Sequence, residues 1–201
     1  MKNKEKFSTI KMVEMAILMA LVVVLQSISS FGVITICLCL VPITLGAMVL
    51  DWKGGATLGF AFGIVALFWG IVGKDVFTLY LFQANWFMTV LICVVKGTMA
   101  GLVPGIVYTL LKRLNPVFAS IVASITAPVV NTGIFAIGCL LIKEDVISVA
   151  GSLGVGADNF ITLLFGVLIT TNFFVELAIN LIFSPALYKV TEIVGKGNKK
   201  K

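Results

Sequence analysis

Long, uninterrupted apolar runs constrain this chain more than any other feature. A helix needs about 20 mostly apolar residues to cross the roughly 30 Å of hydrocarbon in a bilayer. The runs do not alternate polar with apolar residues, which favours helices over barrel strands. Only 12% of the residues are charged, too few for a typical soluble domain. The sequence therefore predicts an all-α integral membrane protein, with one membrane domain over residues 1–201.

The apolar runs predict a six-transmembrane-helix bundle. The second run is short for a full span, and we interpret it as tilted or incomplete. The predicted spans lie at about 10–30, 36–50, 55–73, 86–111, 116–142 and 160–188.

The lysine and arginine residues outside the buried positions are distributed unevenly between the predicted loops. If the N-terminus is cytoplasmic, twelve fall on the inner side and two on the outer side. Basic residues in short loops favour the cytoplasm, so both termini are predicted to be cytoplasmic. The inner set is Lys2, Lys4, Lys6, Lys11, Lys53, Lys112, Arg113, Lys189, Lys196, Lys199, Lys200 and Lys201, and the outer set is Lys74 and Lys143.

Several chemistries require residues or motifs that the sequence lacks. It contains no histidine, which excludes His-dependent hydrolases, HExxH zinc peptidases and His-ligated haem. It contains no GxxxxGK[ST] nucleotide-binding motif, so any use of ATP must belong to another chain. The four cysteines lie inside apolar runs without the spacing of a zinc or redox pair. We therefore expect no enzymatic activity, no cofactor and no metal site.

Two charged residues, Lys96 and Glu176, lie deep inside apolar runs. A charge at the bilayer centre costs at least ~2.5 kcal/mol, so it normally faces a partner or a cavity. Lys96 lies ten residues beyond Trp86, which corresponds to a depth of about 15 Å along a helix. The sequence leaves two interpretations open for Lys96: it pairs with Glu176, or it presents its ammonium group to an anionic ligand.

Further polar residues lie at a similar depth in other predicted spans. Asn172, Glu176 and Asn180 recur every four residues and therefore share one helical face. Such groups either join helices by hydrogen bonds or line a cavity, and their convergence with Asn131 and Lys96 predicts a binding site. The candidate substrate-binding residues are Lys96, Asn131, Asn172, Glu176, Trp86 and Asn85, with Phe87 and Phe135 as additional wall for a planar ring.

Small residues repeat every four positions in three predicted spans. One row begins at Gly55 and continues through residues 59 and 63, and another begins at Gly97 and continues through 101 and 105. Rows of this kind let helices approach closely, so we interpret both as packing surfaces. Ala16 and Ala20 form the same pattern on the first span.

The order and spacing of these motifs resemble those of a known family along essentially the whole chain. The most telling stretches are Val95-Lys96-Gly97 with Ala100-Gly101, Ala127-Pro128-Val-Val-Asn131-Thr132-Gly133, and Asn172-x-x-x-Glu176-x-x-x-Asn180. Together with six short spans and Ala16-x-x-x-Ala20, they resemble the substrate-binding S component of an energy-coupling factor (ECF) vitamin transporter.

This resemblance implies a function and a set of partners. S components bind a vitamin or precursor from outside and dock on a transmembrane coupling subunit carried by two cytoplasmic ATPases. The resemblance assigns docking to Ala16 and Ala20, and it implies that the whole subunit topples in a bacterial cell membrane to carry its substrate inward. ATP would be used by the partner subunits.

The substrate is less constrained than the family. Pantothenate suits a lysine with two asparagines, and Val-Val-Asn131-Thr-Gly is similar to pantothenate-type members. Riboflavin, folate, and pyrimidine or pyridoxine precursors remain open. Two hypotheses from outside the family also remain. One is a stand-alone proton-coupled transporter of a small organic anion, and the other is a structural membrane protein whose buried charges only pair with each other.

Overall fold

The computed structural model describes residues 9–29, 37–154 and 160–199. Within these ranges the chain is almost entirely helical and contains no β-strand, which confirms the all-α prediction. In chain order the elements are α1 (Thr9–Ser29), α2 (Leu40–Val49), α3 (Asp51–Ile71), α4 (Val76–Ala84), α5 (Trp86–Leu111), α6 (Pro116–Leu141), α7 (Lys143–Ser152), a π-helical segment (Thr162–Ile169) and α8 (Thr170–Lys199).

Five of these helices are long and apolar enough to cross a membrane, namely α1, α3, α5, α6 and α8. The predicted count of six spans is therefore not confirmed, and the run at 36–50 is the one that falls short. Its helix α2 has 10 residues and extends for only about 15 Å. The chain turns sharply after it, because Asp51 adopts a left-handed backbone with φ 66° and α3 starts at once.

Two segments predicted as outer connecting loops contain helices. Residues 74–85, between the third and fourth predicted spans, contain α4 (Val76–Ala84). Residues 143–159, between the fifth and sixth predicted spans, begin with α7 (Lys143–Ser152). The Asp75 side chain caps α4 by accepting a hydrogen bond from the Thr78 backbone N–H at 3.1 Å, which satisfies a free donor at the helix start. The last part of the second loop, residues 155–159, lies outside the described residues.

The two glycine rows pack against each other along α3 and α5. A Cβ atom at Gly59 would overlap the carbonyl oxygen of Gly97, and one at Gly101 would overlap that of Gly55. A Cβ at Gly63 would lie 2.5 Å from the carbonyl oxygen of Cys93. The predicted packing role of both rows is thus confirmed, and the close approach of the two backbones depends on the missing side chains.

Contacts at one end of the bundle show how the helices alternate in direction. The start of α1 lies beside the start of α3, where Lys11 and Asp51 form an ion pair at 4.0 Å. The end of α5 reaches the same level, since a Cβ at Gly105 would lie 2.6 Å from the Trp52 Cα. The short helices α4 and α7 cover the opposite end. The assignment of the first end to the cytoplasm stays a prediction.

Candidate functional site

A cavity of about 80 Å³ lies in the half of the bundle covered by α4. Six helices and the segment before α2 contribute to its wall, so no single helix defines it. Its polar lining consists of Gln26, Cys37, Asp75, Thr78, Cys93, Lys96, Asn131, Thr132, Asn172 and Glu176, and its apolar lining of Phe62, Ala66, Phe77 and Phe135.

Lys96 enters the cavity from α5 and is half-buried. Its Nζ atom lies 5.1 Å from the centroid of the Phe135 ring, within the range of a cation–π contact. Among the described residues no carboxylate lies within 4.0 Å of that nitrogen. Asp75 and Glu176 still contribute to the electrostatic field at Lys96. The Lys96 ammonium group is therefore stabilised by the aromatic face of Phe135 and by the electrostatic field of these two acids, without a direct ion pair.

Glu176 enters the cavity from α8 and is 3% exposed. Its Oε1 atom accepts a hydrogen bond from the Cys37 backbone N–H at 3.1 Å. Its Oε2 atom has no hydrogen-bond partner within the described ranges. One turn further along α8, the Asn180 side chain donates to the Glu176 carbonyl oxygen at 2.9 Å. This bond stiffens the backbone that carries the carboxyl group.

Asn131 reaches the cavity from α6 and is 5% exposed. Its side-chain amide interacts with the Glu176 carboxyl group. The Oδ1 atom of Asn131 lacks a hydrogen-bond partner in the part of the chain that the structure describes. Buried polar atoms are rarely left without a partner in folded proteins, because the loss of hydration is costly. The cavity therefore contains unused hydrogen-bonding capacity.

Asp75 lines the same cavity, but both of its side-chain oxygens are engaged. Oδ1 accepts from the Thr78 backbone N–H, and Oδ2 accepts from the Thr78 hydroxyl at 2.7 Å. Its negative charge also lies at the N-terminus of α4, where the helix dipole favours an anion. Asp75 is therefore a helix cap at the rim of the cavity, and each of its oxygens already accepts a hydrogen bond within α4.

The structure brings four of the six predicted substrate-binding residues together. Lys96, Asn131, Asn172 and Glu176 all line the cavity, as does the predicted aromatic Phe135. The alternative of a direct Lys96–Glu176 ion pair is not observed at 4.0 Å or closer among the described residues.

Trp86 and Asn85 do not line this cavity. The Trp86 side chain is 63% exposed and packs edge-on against Phe87, with the ring centroids 5.8 Å apart. Asn85 caps α5 by accepting from the Met88 N–H at 3.2 Å, and its Nδ2 donates to Asp145 at 3.0 Å. Both residues lie where α5 begins, too far toward the end of the bundle that α4 and α7 cover to reach the level of Lys96. Their predicted binding role stays a prediction without support from this geometry.

Sequence reasoning missed several residues of the cavity wall. Gln26 lies in α1, is 2% exposed and accepts a hydrogen bond from the Cys39 thiol at 3.1 Å. Its position as a polar residue within an apolar helix could have indicated a place in the cavity wall from the sequence. Asp75 was recognisable only as a helix cap, since an acid followed three residues later by a threonine is common at helix starts. Phe62 and Phe77 carried no signal, because apolar residues dominate the chain.

Ala16 and Ala20 do not line the cavity and lie on an exposed face of α1. The neighbouring residues Leu18 and Val22 turn the other way and belong to the buried core. Among the described residues, the small-residue face of α1 is therefore not used for packing.

No group of three or more Cys, Asp or Glu side chains suited to a metal ion occurs in the ranges 9–29, 37–154 and 160–199.

Comparison with known proteins gives a family match: the family model described as ECF transporter, substrate-specific component, covers residues 10–188. No curated protein and no solved structure matches the chain.

Proposed function

The chain belongs to the family of ECF transporter substrate-specific components, and from this membership we propose that it captures a vitamin or vitamin precursor for uptake across a bacterial cell membrane. The family is one of transporter subunits and not of enzymes. Pantothenate is the leading substrate. In this proposal the chain supplies the binding site, while a transmembrane coupling subunit and two ATPases supply the energy.

The observation that carries the proposal is the joint lining of one cavity by Lys96, Asn131, Asn172 and Glu176. Burying these groups in a membrane protein costs several kcal/mol unless each gains a partner. A ligand that supplies an anionic group to Lys96 would offset that cost. A protein in which the charges only hold helices together would instead place Lys96 against a carboxylate, at a distance shorter than 4 Å.

Pantothenate matches the chemistry of the wall. Its carboxylate suits the Lys96 ammonium group, its amide and hydroxyl groups suit the side-chain amides, and its dimethyl group suits the apolar faces of Phe62 and Phe77. Riboflavin and folate are larger and bear extended planar rings. The aromatic side chains of the wall would have to stack on those rings, and the predicted stacking residue Trp86 lies outside the cavity.

The experiment that tests the proposal is identification of the bound molecule. The full chain is purified in detergent, and the small molecules released on denaturation are identified by mass spectrometry. Each identified molecule, and pantothenate separately, is then titrated into the purified chain to confirm binding. We expect a vitamin or precursor that binds the isolated chain, and transport only when the coupling subunit and ATPases are present. Uptake by the chain alone, driven by a proton gradient, would contradict the proposal.

A further inference from the structure

The cavity contains two buried acceptor oxygens that the described part of the chain leaves unused. Glu176 Oε2 and Asn131 Oδ1 both lack a hydrogen-bond partner among the described residues. Their side chains are 3% and 5% exposed, respectively, so bulk water does not hydrate them freely. An acceptor in this situation loses free energy until a donor reaches it. The two side chains also interact with each other, so they form one acceptor pole.

Another polar group of the cavity wall, the Lys96 ammonium group on α5, is a donor, and we call it the cationic pole. Lys96 has three N–H bonds and no acceptor capacity, and within the described residues its ammonium group has no carboxylate within 4.0 Å. Its close contact is the Phe135 ring, 5.1 Å away. Asp75, the other acid in the wall, already directs both oxygens to Thr78. Lys96 is therefore the group in this wall that is suited to an anion.

The acceptor pole and the cationic pole lie on different helices. Lys96 comes from α5, whereas Asn131 and Glu176 come from α6 and α8. Apolar wall from Phe62, Ala66 and Phe77 completes the same cavity. A ligand that satisfied only the cation would leave the two acceptor oxygens unpaired, and an anion near Glu176 would be repelled by it.

Resting on the proposed function, we infer that the substrate is bipolar. It carries an anionic group for Lys96 and, on another part of the same molecule, at least two hydroxyl or N–H donors for Glu176 and Asn131. An organic acid with a purely apolar tail does not meet this requirement, and neither does a cation without an acidic group. Pantothenate belongs to the class, because its carboxylate and its two hydroxyl groups lie on opposite sides of an amide.

The inference is tested by removing the acceptor charge and the ligand hydroxyls separately. Pantothenate and N-(tert-butylacetyl)-β-alanine, which keeps the carboxylate, the amide and the dimethyl group but lacks both hydroxyls, are titrated into the purified full chain. Wild-type protein should bind pantothenate about tenfold or more tightly than the analogue. Glu176→Gln should weaken pantothenate binding by a similar factor and largely remove the preference between the two probes.

Two further variants make the result specific. Asn131→Leu, a substitution of similar size, should also reduce the preference for pantothenate over the analogue. It provides a second test of the acceptor pole if Glu176→Gln does not fold. Glu144→Gln makes the same chemical change on the exposed start of α7 and should leave both affinities unchanged. Size-exclusion chromatography of each variant separates lost binding from lost folding.

The outcomes distinguish this inference from the function on which it rests. Equal or tighter pantothenate binding by Glu176→Gln would overturn the bipolar site alone, since anion-only recognition gains when a like charge is removed. If pantothenate does not bind, the chemistry of the co-purifying molecule tests the inference. A molecule with an anionic group and two donors supports it, and a molecule that lacks one or both of these features overturns it. A chain that binds no small molecule would overturn the proposed function and this inference with it.

Discussion

Lys96 and Glu176 occupy one cavity without direct contact, and this separation is the main finding at the scale of single residues. A buried ion pair compensates two charges at once, but it leaves nothing for a ligand. Here the Lys96 ammonium group lies against an aromatic ring, and one carboxylate oxygen of Glu176 accepts from the Cys37 backbone N–H at 3.1 Å. Each charge is only partly satisfied, which is the condition that ligand binding requires.

The first prediction concerns Lys96→Met, which keeps the apolar stem and removes the charge. Binding of pantothenate should weaken by about 10- to 100-fold, because a charge-assisted hydrogen bond is worth roughly 1.5–3 kcal/mol. Isothermal titration of the detergent-purified protein measures the change. Lys143→Met is the matched control, since Lys143 lies outside the cavity at the start of α7. Unchanged affinity in Lys96→Met would remove the anion-binding role from this residue.

At the scale of elements, the contact between α3 and α5 supports both the fold and the site. The glycine rows bring the two backbones together, and the same two helices carry Phe62, Cys93 and Lys96 to the cavity wall. Ridge-and-groove packing of larger side chains would hold helix axes about 8–10 Å apart. A wider separation would move Lys96 relative to α3 and open the cavity wall.

The second prediction follows from this contact. Gly59→Ala should destabilise the protein by about 1–3 kcal/mol, because the added methyl group overpacks the interface. The physical cause is direct overlap with the Gly97 carbonyl oxygen. Thermal unfolding in detergent, monitored by circular dichroism, measures the change.

Gly133→Ala on α6 provides the matched control for that variant. Nothing lies within 4 Å of a Cβ built at Gly133, so this change should be neutral or slightly stabilising through helix propensity. Equal melting temperatures for Gly59→Ala and Gly133→Ala would contradict the close packing of α3 on α5.

At the scale of the whole molecule, the chain separates two surfaces. The cavity lies in the half of the bundle that α4 covers, whereas Ala16 and Ala20 lie on an exposed face of α1. We therefore expect that substrate binding and the docking predicted for Ala16 and Ala20 can be altered independently. This independence is a requirement of the proposed function, in which one subunit binds its substrate alone but transports only within a complex.

The third prediction tests that independence. Ala16→Trp should leave pantothenate affinity unchanged and block ATP-driven uptake by vesicles that contain the coupling subunit and both ATPases, because the indole prevents close helix approach. Ile182→Trp, at a position 74% exposed on α8, controls for a bulky surface side chain and should support normal uptake. Uptake that survives Ala16→Trp would show that α1 does not dock through this face.

The membrane class, the helical fold and the glycine packing surfaces could be derived from the sequence by itself. Each depends on local properties: the length of an apolar run, and the spacing of small residues along one helix. The depth of Lys96, Asn131 and Glu176 was also local, since it follows from the helical rise per residue. The same reasoning left the run at 36–50 open as a tilted or incomplete span, and the structure limits its helix α2 to 10 residues.

The tertiary structure decided which polar side chains meet and which atoms stay unpaired. Helical spacing gives the depth of Asn131 but not the rotation of α6 about its axis, which depends on packing against α5 and α8. Trp86 and Asn85 were predicted for the site but lie outside it, because they stand at the start of α5 and do not reach the level of Lys96. Gln26 and Asp75 line the cavity without having been predicted. The gap between Lys96 and Glu176 is likewise a distance across helices, and no property of either helix alone determines it.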